Sequence, residues 1–355
     1  MKKLNTILAV ALLLFLSSVA EAKIWRLNNN TGITADFTSL DAALVSTSVQ
    51  NGDTLHLEAS PLSYGDATIN KRLVIIGTGY FLDPANITFP PNTGLQYKTQ
   101  QSIVRFISLT ADAAGSKFNG ISFLSGTLSG AVWTNITFEK CYIAENFTVP
   151  NAANSGLVIR KCFIDNTVLN CTLGSLTGFT CENNIFFGFW GSINMPNLSG
   201  TNNIFRNNSF ATPAPTAVSA LANCYVANNI FTNNNGTPIG FTNCNIKNNL
   251  FSQNQPLPGT AVGNQINVNM ADVYAGGTTG SWDARFVLKA GSPAIGAGVT
   301  VGSVVSPNCG AFGGTDPYRL SGIPDVPAIY SLTVPSSIPS GTNSMNVTFS
   351  TRSNN

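Results

Sequence analysis

The sequence predicts an all-β protein, a parallel β-helix solenoid of about 21 residues per coil with a short N-terminal capping helix. The first sign is a phrase said four times: Asn183-Asn184-Ile185-Phe186, Asn202-Asn203-Ile204-Phe205, Asn228-Asn229-Ile230-Phe231 and Asn248-Asn249-Leu250-Phe251. The second is its spacing. Anchored on the second Asn, the pattern runs back through Cys162, Cys141 and Ile121 in steps of 19 to 26 residues, with apolar columns three before and two after each anchor. Such columns fit two short strands joined by a bend, repeated so that like residues stack about 4.8 Å apart. The third is composition. Charged residues make up 10% of the 355, against an ordinary ~25%, so Asn, Ser, Thr and Gly must supply the wet surface. Helical repeats would need a 3.6-residue apolar period that Asn-rich strings cannot sustain. Leucine-rich repeats share the period but not the Leu-x-x-Leu-x-Leu pattern.

In chain order, residues 1–22 read as a signal peptide: Lys2-Lys3, an apolar run from Ile7 to Leu16, and Ala20-Glu21-Ala22 as a small-x-small cleavage site. The run is too short to span a bilayer, so no transmembrane segment is expected. An exported protein follows, whether extracellular, surface-bound or periplasmic. Removing Lys2, Lys3 and Glu21 from 18 basic and 16 acidic residues leaves 16 and 15. Near-neutrality argues against nucleic acid and anionic membranes as partners. Residues 23–315 are assigned to the solenoid and its cap. Within them Ile24–Leu27 reads as a strand, and Phe37–Val49 as the capping helix with Thr38 as N-cap and Leu40, Ala43 and Leu44 on one face. Thr54–Leu57, Leu73–Ile76 and Gln265–Met270 read as further strands, and Ala211–Thr216 as an extruded Pro-rich loop. Residues 316–355, with Pro317, Pro324, Pro327, Pro335 and Pro339, form a tail that packs on or caps the solenoid and ends in a strand at Met345–Phe349.

A short helix followed by Gly52-Asp53-Thr54-Leu55 resembles the opening of secreted bacterial right-handed β-helix proteins of the pectate-lyase-like superfamily. Arg285–Gly298, with its Gly291-Ser292-Pro293-Ala294 turn, resembles their closing coil. The resemblance implies a right-handed coil and admits an enzyme. Lyases of that class use a base to remove the proton α to a uronate carboxyl, and Arg, Lys or calcium to stabilise the product of that step.

Two clusters are candidates for chemistry. Glu139, Arg160 and Glu182 fall at one position of successive coils, with Lys161 beside them. They form either an exterior charge ladder or a saccharide site in which Arg160 or Lys161 faces Glu139 or Glu182. Phe187, Phe189 and Trp190 follow a core Phe and form either packing or a sugar-stacking platform. Clustered Asp residues, which lyases use for calcium and hydrolases for catalysis, are missing, and Asp165 stands alone in the repeats. No metal site or cofactor is therefore expected, calcium entering only with a lyase. His56, the single histidine, points outward between Leu55 and Leu57. The seven cysteines, with Cys141 stacked on Cys162 and Cys224 on Cys244, form either a buried reduced ladder or bridges between coils with one thiol left over. The expected function is a secreted or cell-surface binding or structural protein, glycan-facing and without a catalytic set. The alternative is a polysaccharide lyase or glycoside hydrolase acting on an acidic polysaccharide.

Overall fold

The computed structural model describes residues 22–353 except 87, 89, 125–126, 145, 189, 212–216, 233–236, 277–279 and 339. Residues 1–21 of the expected signal peptide and nearly all of the Pro-rich loop lie outside the described residues. Within them the chain coils about eight times as a right-handed parallel β-helix, forming one parallel sheet of ten strands and two of eight. The first sheet runs from Ile24–Leu27 to Asn245–Lys247, the second from Ile103–Val104 to Leu250–Phe251, the third from Ala67–Ile69 to Gly240–Thr242. A short fourth sheet, Ala153–Ser155, Ser175–Thr177 and Leu198–Ser199, adds a facet between the third and first.

Each position of the repeated phrase has its own job. The first Asn lies in the left-handed region (Asn183, Asn228 and Asn248, φ 51 to 56°) and turns the chain from first sheet to second. Asn occupies that region more cheaply than other residues bearing a side chain. The second Asn turns inward and builds an amide ladder. Asn184 Nδ2 donates to Asn208 Oδ1, Asn208 to Asn229, Asn229 to Asn249 and Asn249 to Asn264, at 2.9 to 3.0 Å. The Phe fills the interior, Phe186 stacking on Phe210 at 4.8 Å and Phe231 on Phe251 at 5.1 Å. The Ile or Leu points outward and is buried nonetheless, because the C-terminal part of the chain returns over the second sheet. Ile185, Ile230 and Leu250 form a second core there with Val273, Tyr274, Phe286 and Tyr318.

The ladder corrects one anchor. Asn208, not Asn203, occupies the column between Asn184 and Asn229, and Asn207 is the left-handed corner of that coil. Asn202-Asn203-Ile204-Phe205 lies in the first sheet, where Phe205 pairs with Cys181 and Val226.

The capping helix is shorter than expected, Leu40–Val45, and Ser39 rather than Thr38 caps it, Oγ accepting from Ala42 N at 3.1 Å. Leu40, Ala43 and Leu44 are buried as the pattern requires, covering the first-coil edge that would otherwise invite strand pairing. At the other end the strands of the three parallel sheets stop at Phe251, within the span 23–315 assigned to the solenoid and its cap. Of the expected strand Gln265–Met270 only the bridge Leu250↔Gln265 forms. Arg285–Gly298 is not a coil either. It begins in a 3₁₀ turn, Asp283–Phe286, and continues as turns over the second sheet. Beyond residue 325, Ala328–Thr333 and Thr348–Arg352 pair as an antiparallel hairpin.

Candidate functional site

Pairing along the first sheet puts one outward column in register: Arg26, His56, Ile76, Asn119, Glu139, Arg160, Glu182, Arg206, Ala227 and Lys247. The predicted charged residues thus stack on consecutive coils. Arg160 Nη2 lies 2.8 Å from Glu139 Oε2 and Lys161 Nζ 2.7 Å from Glu139 Oε1, so both carboxylate oxygens are engaged. Glu182 joins Arg206, at 2.8 Å, and not Arg160. Arg206 escaped the sequence reading because the coil was phased on Asn203. Burial works to lower the Arg160 guanidinium, and the bond and charge of Glu139 with the charges of Asp316 and Glu182 together outweigh this, holding it above its ordinary value.

The neighbouring corner residues explain why charge replaced amide on two coils. Lys140 and Lys161 adopt the same left-handed turn as the Asn corners (φ 54°), and their side chains are 0% and 5% exposed. Lys161 Nζ meets Asp316 Oδ2 at 2.6 Å and Lys140 Nζ meets Asp325 Oδ1 at 2.5 Å. Further along, Asn183 Nδ2 donates to the carbonyls of Ala311 and Gly313, Asn207 to Asn308 and Gly310, Asn228 to Val299 and Asn248 to Ala297. The returning segment 297–325 therefore hangs on a row of corner side chains. Lys serves where the segment offers a carboxylate, and Asn where it offers a carbonyl. A buried carboxylate completes the attachment: Asp283 accepts from Asn92 Nδ2, Ser281 Oγ, Tyr318 Oη and Ser321 N.

From Glu139 to Arg206 the column is thus neutralised within itself and against the returning segment. A general base must reach a substrate proton, yet Glu139 is tied to two cations. Arg160, Lys161, Glu139 and Glu182 line none of the cavities described below.

Of the aromatic candidates, the structure describes Phe187 and Trp190. Phe187 packs on Phe163 (6.0 Å) and edge-on to Trp282 of the returning layer (4.6 Å). Trp190 is 84% exposed, its backbone N–H donating to Asn166 Oδ1, and Phe189 lies outside the described residues. Asp165 is buried, accepting from Tyr142 Oη at 2.7 Å and Asn166 Nδ2 at 2.9 Å, and burial pushes its carboxyl above the ordinary value. All seven cysteines are free. Cys141 N donates to Cys162 Sγ, and burial pushes the Cys162 thiol well up. Among the described residues no group of His, Cys, Asp and Glu is placed to hold a metal ion, and no helix is long and apolar enough to cross a membrane.

Two further surfaces among the described residues bear on a ligand. The third sheet's outward residues include Thr68, Ser108, Asn146, Thr148, Asn170 and Asn194, exposed or half-buried. Among its described outward positions none is charged. At the N-terminal rungs of the first sheet, His56 and Lys98 line both a cavity of about 600 Å³ and an adjoining one of about 300 Å³. His56 does point outward, and burial lowers its pKa, with Glu58 opposing and Arg26 assisting. No protein-family model and no curated protein sequence matches this chain.

Proposed function

We propose that this is an exported, non-catalytic β-helix that binds the surface of a neutral polysaccharide through the outward face of its third sheet. The uncharged register of hydroxyls and amides on that face carries the reading. Such groups exchange hydrogen bonds with sugar hydroxyls, whereas a charge pressed against a neutral ligand would lose hydration without a partner. Strands about 4.8 Å apart repeat the offer on coil after coil, so many weak contacts add along an extended chain. The alternative of a lyase or hydrolase acting on an acidic polysaccharide loses its main support, since Glu139, Arg160 and Lys161 are spent on one another and on Asp316. Co-sedimentation with insoluble neutral polysaccharides tests the reading. The protein should sediment with at least one of them, and Asn146→Asp with Asn194→Asp should release it. Retention of the doubly substituted protein would sink the assignment of the face. Unsaturated products in a polyuronide digest would sink the non-catalytic reading.

A further inference from the structure

We infer that the cleft between the N-terminal rungs of the first sheet and the C-terminal hairpin is a second site, built for a carboxylate-bearing oligosaccharide held at Lys98 and His56. The two cavities that share these residues differ in lining. The larger adds Arg26, Glu58 and Gln100. The smaller adds Tyr97, Pro324 and Ile329, and the hairpin is fixed against that loop by Tyr97 N donating to Ile329 O at 2.9 Å. The combined space falls in the range of pockets that hold small ligands, ~300–1,000 Å³.

Electrostatics decides the sign of the ligand. Glu58 is the acid in the larger cavity, and its oxygens are taken by Arg26 Nε and Asn28 Nδ2, both at 2.6 Å. Lys98 lies exposed at the junction and, among the described residues, makes no ion pair or hydrogen bond. One uncompensated cation therefore faces the middle of the cleft. Beside it the half-buried imidazole of His56 has no hydrogen-bond partner among the described residues, leaving its ring nitrogens to a ligand.

The lining favours a sugar over a peptide. Tyr97, 47% exposed, and the exposed Pro327 give flat apolar surface at one end, and polar groups line the other, as a ring with an apolar face and hydroxyl edges requires. A peptide would most readily add to a strand edge, but the edge of Ile24–Leu27 is already occupied, Asp36 N and Phe37 N both donating to Arg26 O. This site is independent of the neutral face, lying on a different sheet with a different ligand chemistry.

Titration calorimetry of the full chain with an oligogalacturonate and its carboxyl-reduced neutral counterpart tests it. The acidic sugar should bind, more weakly as salt is added, and the neutral one at least tenfold more weakly. Lys98→Glu should lower affinity at least tenfold. His56→Ala should lower it about fivefold, the value of one hydrogen bond. Lys117→Glu, an exposed charge on the same sheet outside the cleft, should change it less than about twofold. Thermal melts of each variant separate lost binding from lost folding, and Lys98→Met replaces Lys98→Glu if the latter melts early. Absence of acidic-sugar binding, equal binding of the neutral counterpart, or Lys98 variants that bind like the parent overturn the proposal. So does an acidic peptide that binds more tightly than the sugar. Titrations repeated on the Asn146→Asp/Asn194→Asp protein remove any contribution of the neutral face, so the two readings fail separately.

Discussion

Asn229→Ala is expected to be among the costliest single changes in the coiled region. The Asn229 side chain is fully buried. Its Oδ1 accepts from Asn208 N at 2.9 Å and Asn208 Nδ2 at 3.0 Å, while its Nδ2 donates to Phe205 O and Asn249 Oδ1, each at 2.9 Å. Alanine removes all of these and strips Asn208 N of its amide acceptor, while Asn249 Oδ1 keeps Asn229 N and Asn208 Nδ2 keeps Cys181 O. At about 1 kcal/mol per bond the loss is about 4 kcal/mol, with further cost for each orphaned group. Total stabilities run only ~5–15 kcal/mol. Because a solenoid can open locally, native-state hydrogen exchange at Asn208 and Asn249 N–H is the right assay, alongside urea unfolding. Exchange at those sites should accelerate by about three decades, following from 1.4 kcal/mol per decade. Asn245→Ala, at an exposed position of the neighbouring strand, should change stability by less than about 0.5 kcal/mol. An Asn229→Ala cost below about 1 kcal/mol would refute the claim that the inner amides hold the coils together.

The returning segment should loosen in acid. Burial favours the neutral form of Asp316, but Lys161, Arg160 and Lys140 together hold its pKa below the ordinary carboxylate value. A depressed folded pKa means stabilisation that is present above the unfolded value, near 3.9, and lost as pH falls through the folded one. Limited proteolysis around residues 297–325 should therefore quicken below about pH 4, and Asp316→Asn should show the quickened rate at neutral pH. Gly322→Ala places a Cβ 2.3 Å from the Tyr80 ring and 2.4 Å from Lys140 O at a φ of +52°. It should cost about 1–3 kcal/mol as overpacking and expose the same segment to protease. In the folded protein only Cys244, the one cysteine not buried, should react readily with a thiol reagent. After unfolding without reductant all seven should react, and a smaller number would show bridges.

The fold was legible because a solenoid writes its cross-section into the chain once per coil. What misled was local identity. Asn202-Asn203-Ile204-Phe205 matches the phrase letter for letter, yet the corner and ladder residues of that coil are Asn207 and Asn208. The signal lay in the spacing, since steps of 19 and then 26 become 24 and then 21 when the anchor moves to Asn208. Moving it also brings Arg206 opposite Glu182. The returning layer was less legible, because side chains 100 residues apart carry no mutual period. A trace of it stood in the sequence even so. Ile185-Phe186-Phe187 and Phe163-Ile164 are unbroken apolar runs, and a strand buried on both faces reads that way. Lys161 was read as a sign of function because charge in a charge-poor chain draws the eye, though it and Lys140 are corners. Their partners, Asp316 and Asp325, sit in a region with no repeat to align.

This division of labour among the columns narrows where a partner can act. The second sheet's outer face is consumed by the returning layer, with Tyr142, Phe163, Ile185 and Ile230 packed beneath it. The stretch of the charged column from Glu139 to Arg206 is consumed by its own ion pairs, and the corner side chains Lys140, Lys161, Asn183 and Asn207 are consumed in holding the segment. A residue already bonded within the fold must break that bond to engage a ligand, which subtracts from affinity. Among the described residues, the third sheet's hydroxyls and amides and the Lys98–His56 cleft are the surfaces least committed in this way. That difference in prior commitment, more than the rarity of charge, is what directs the search for a ligand to them.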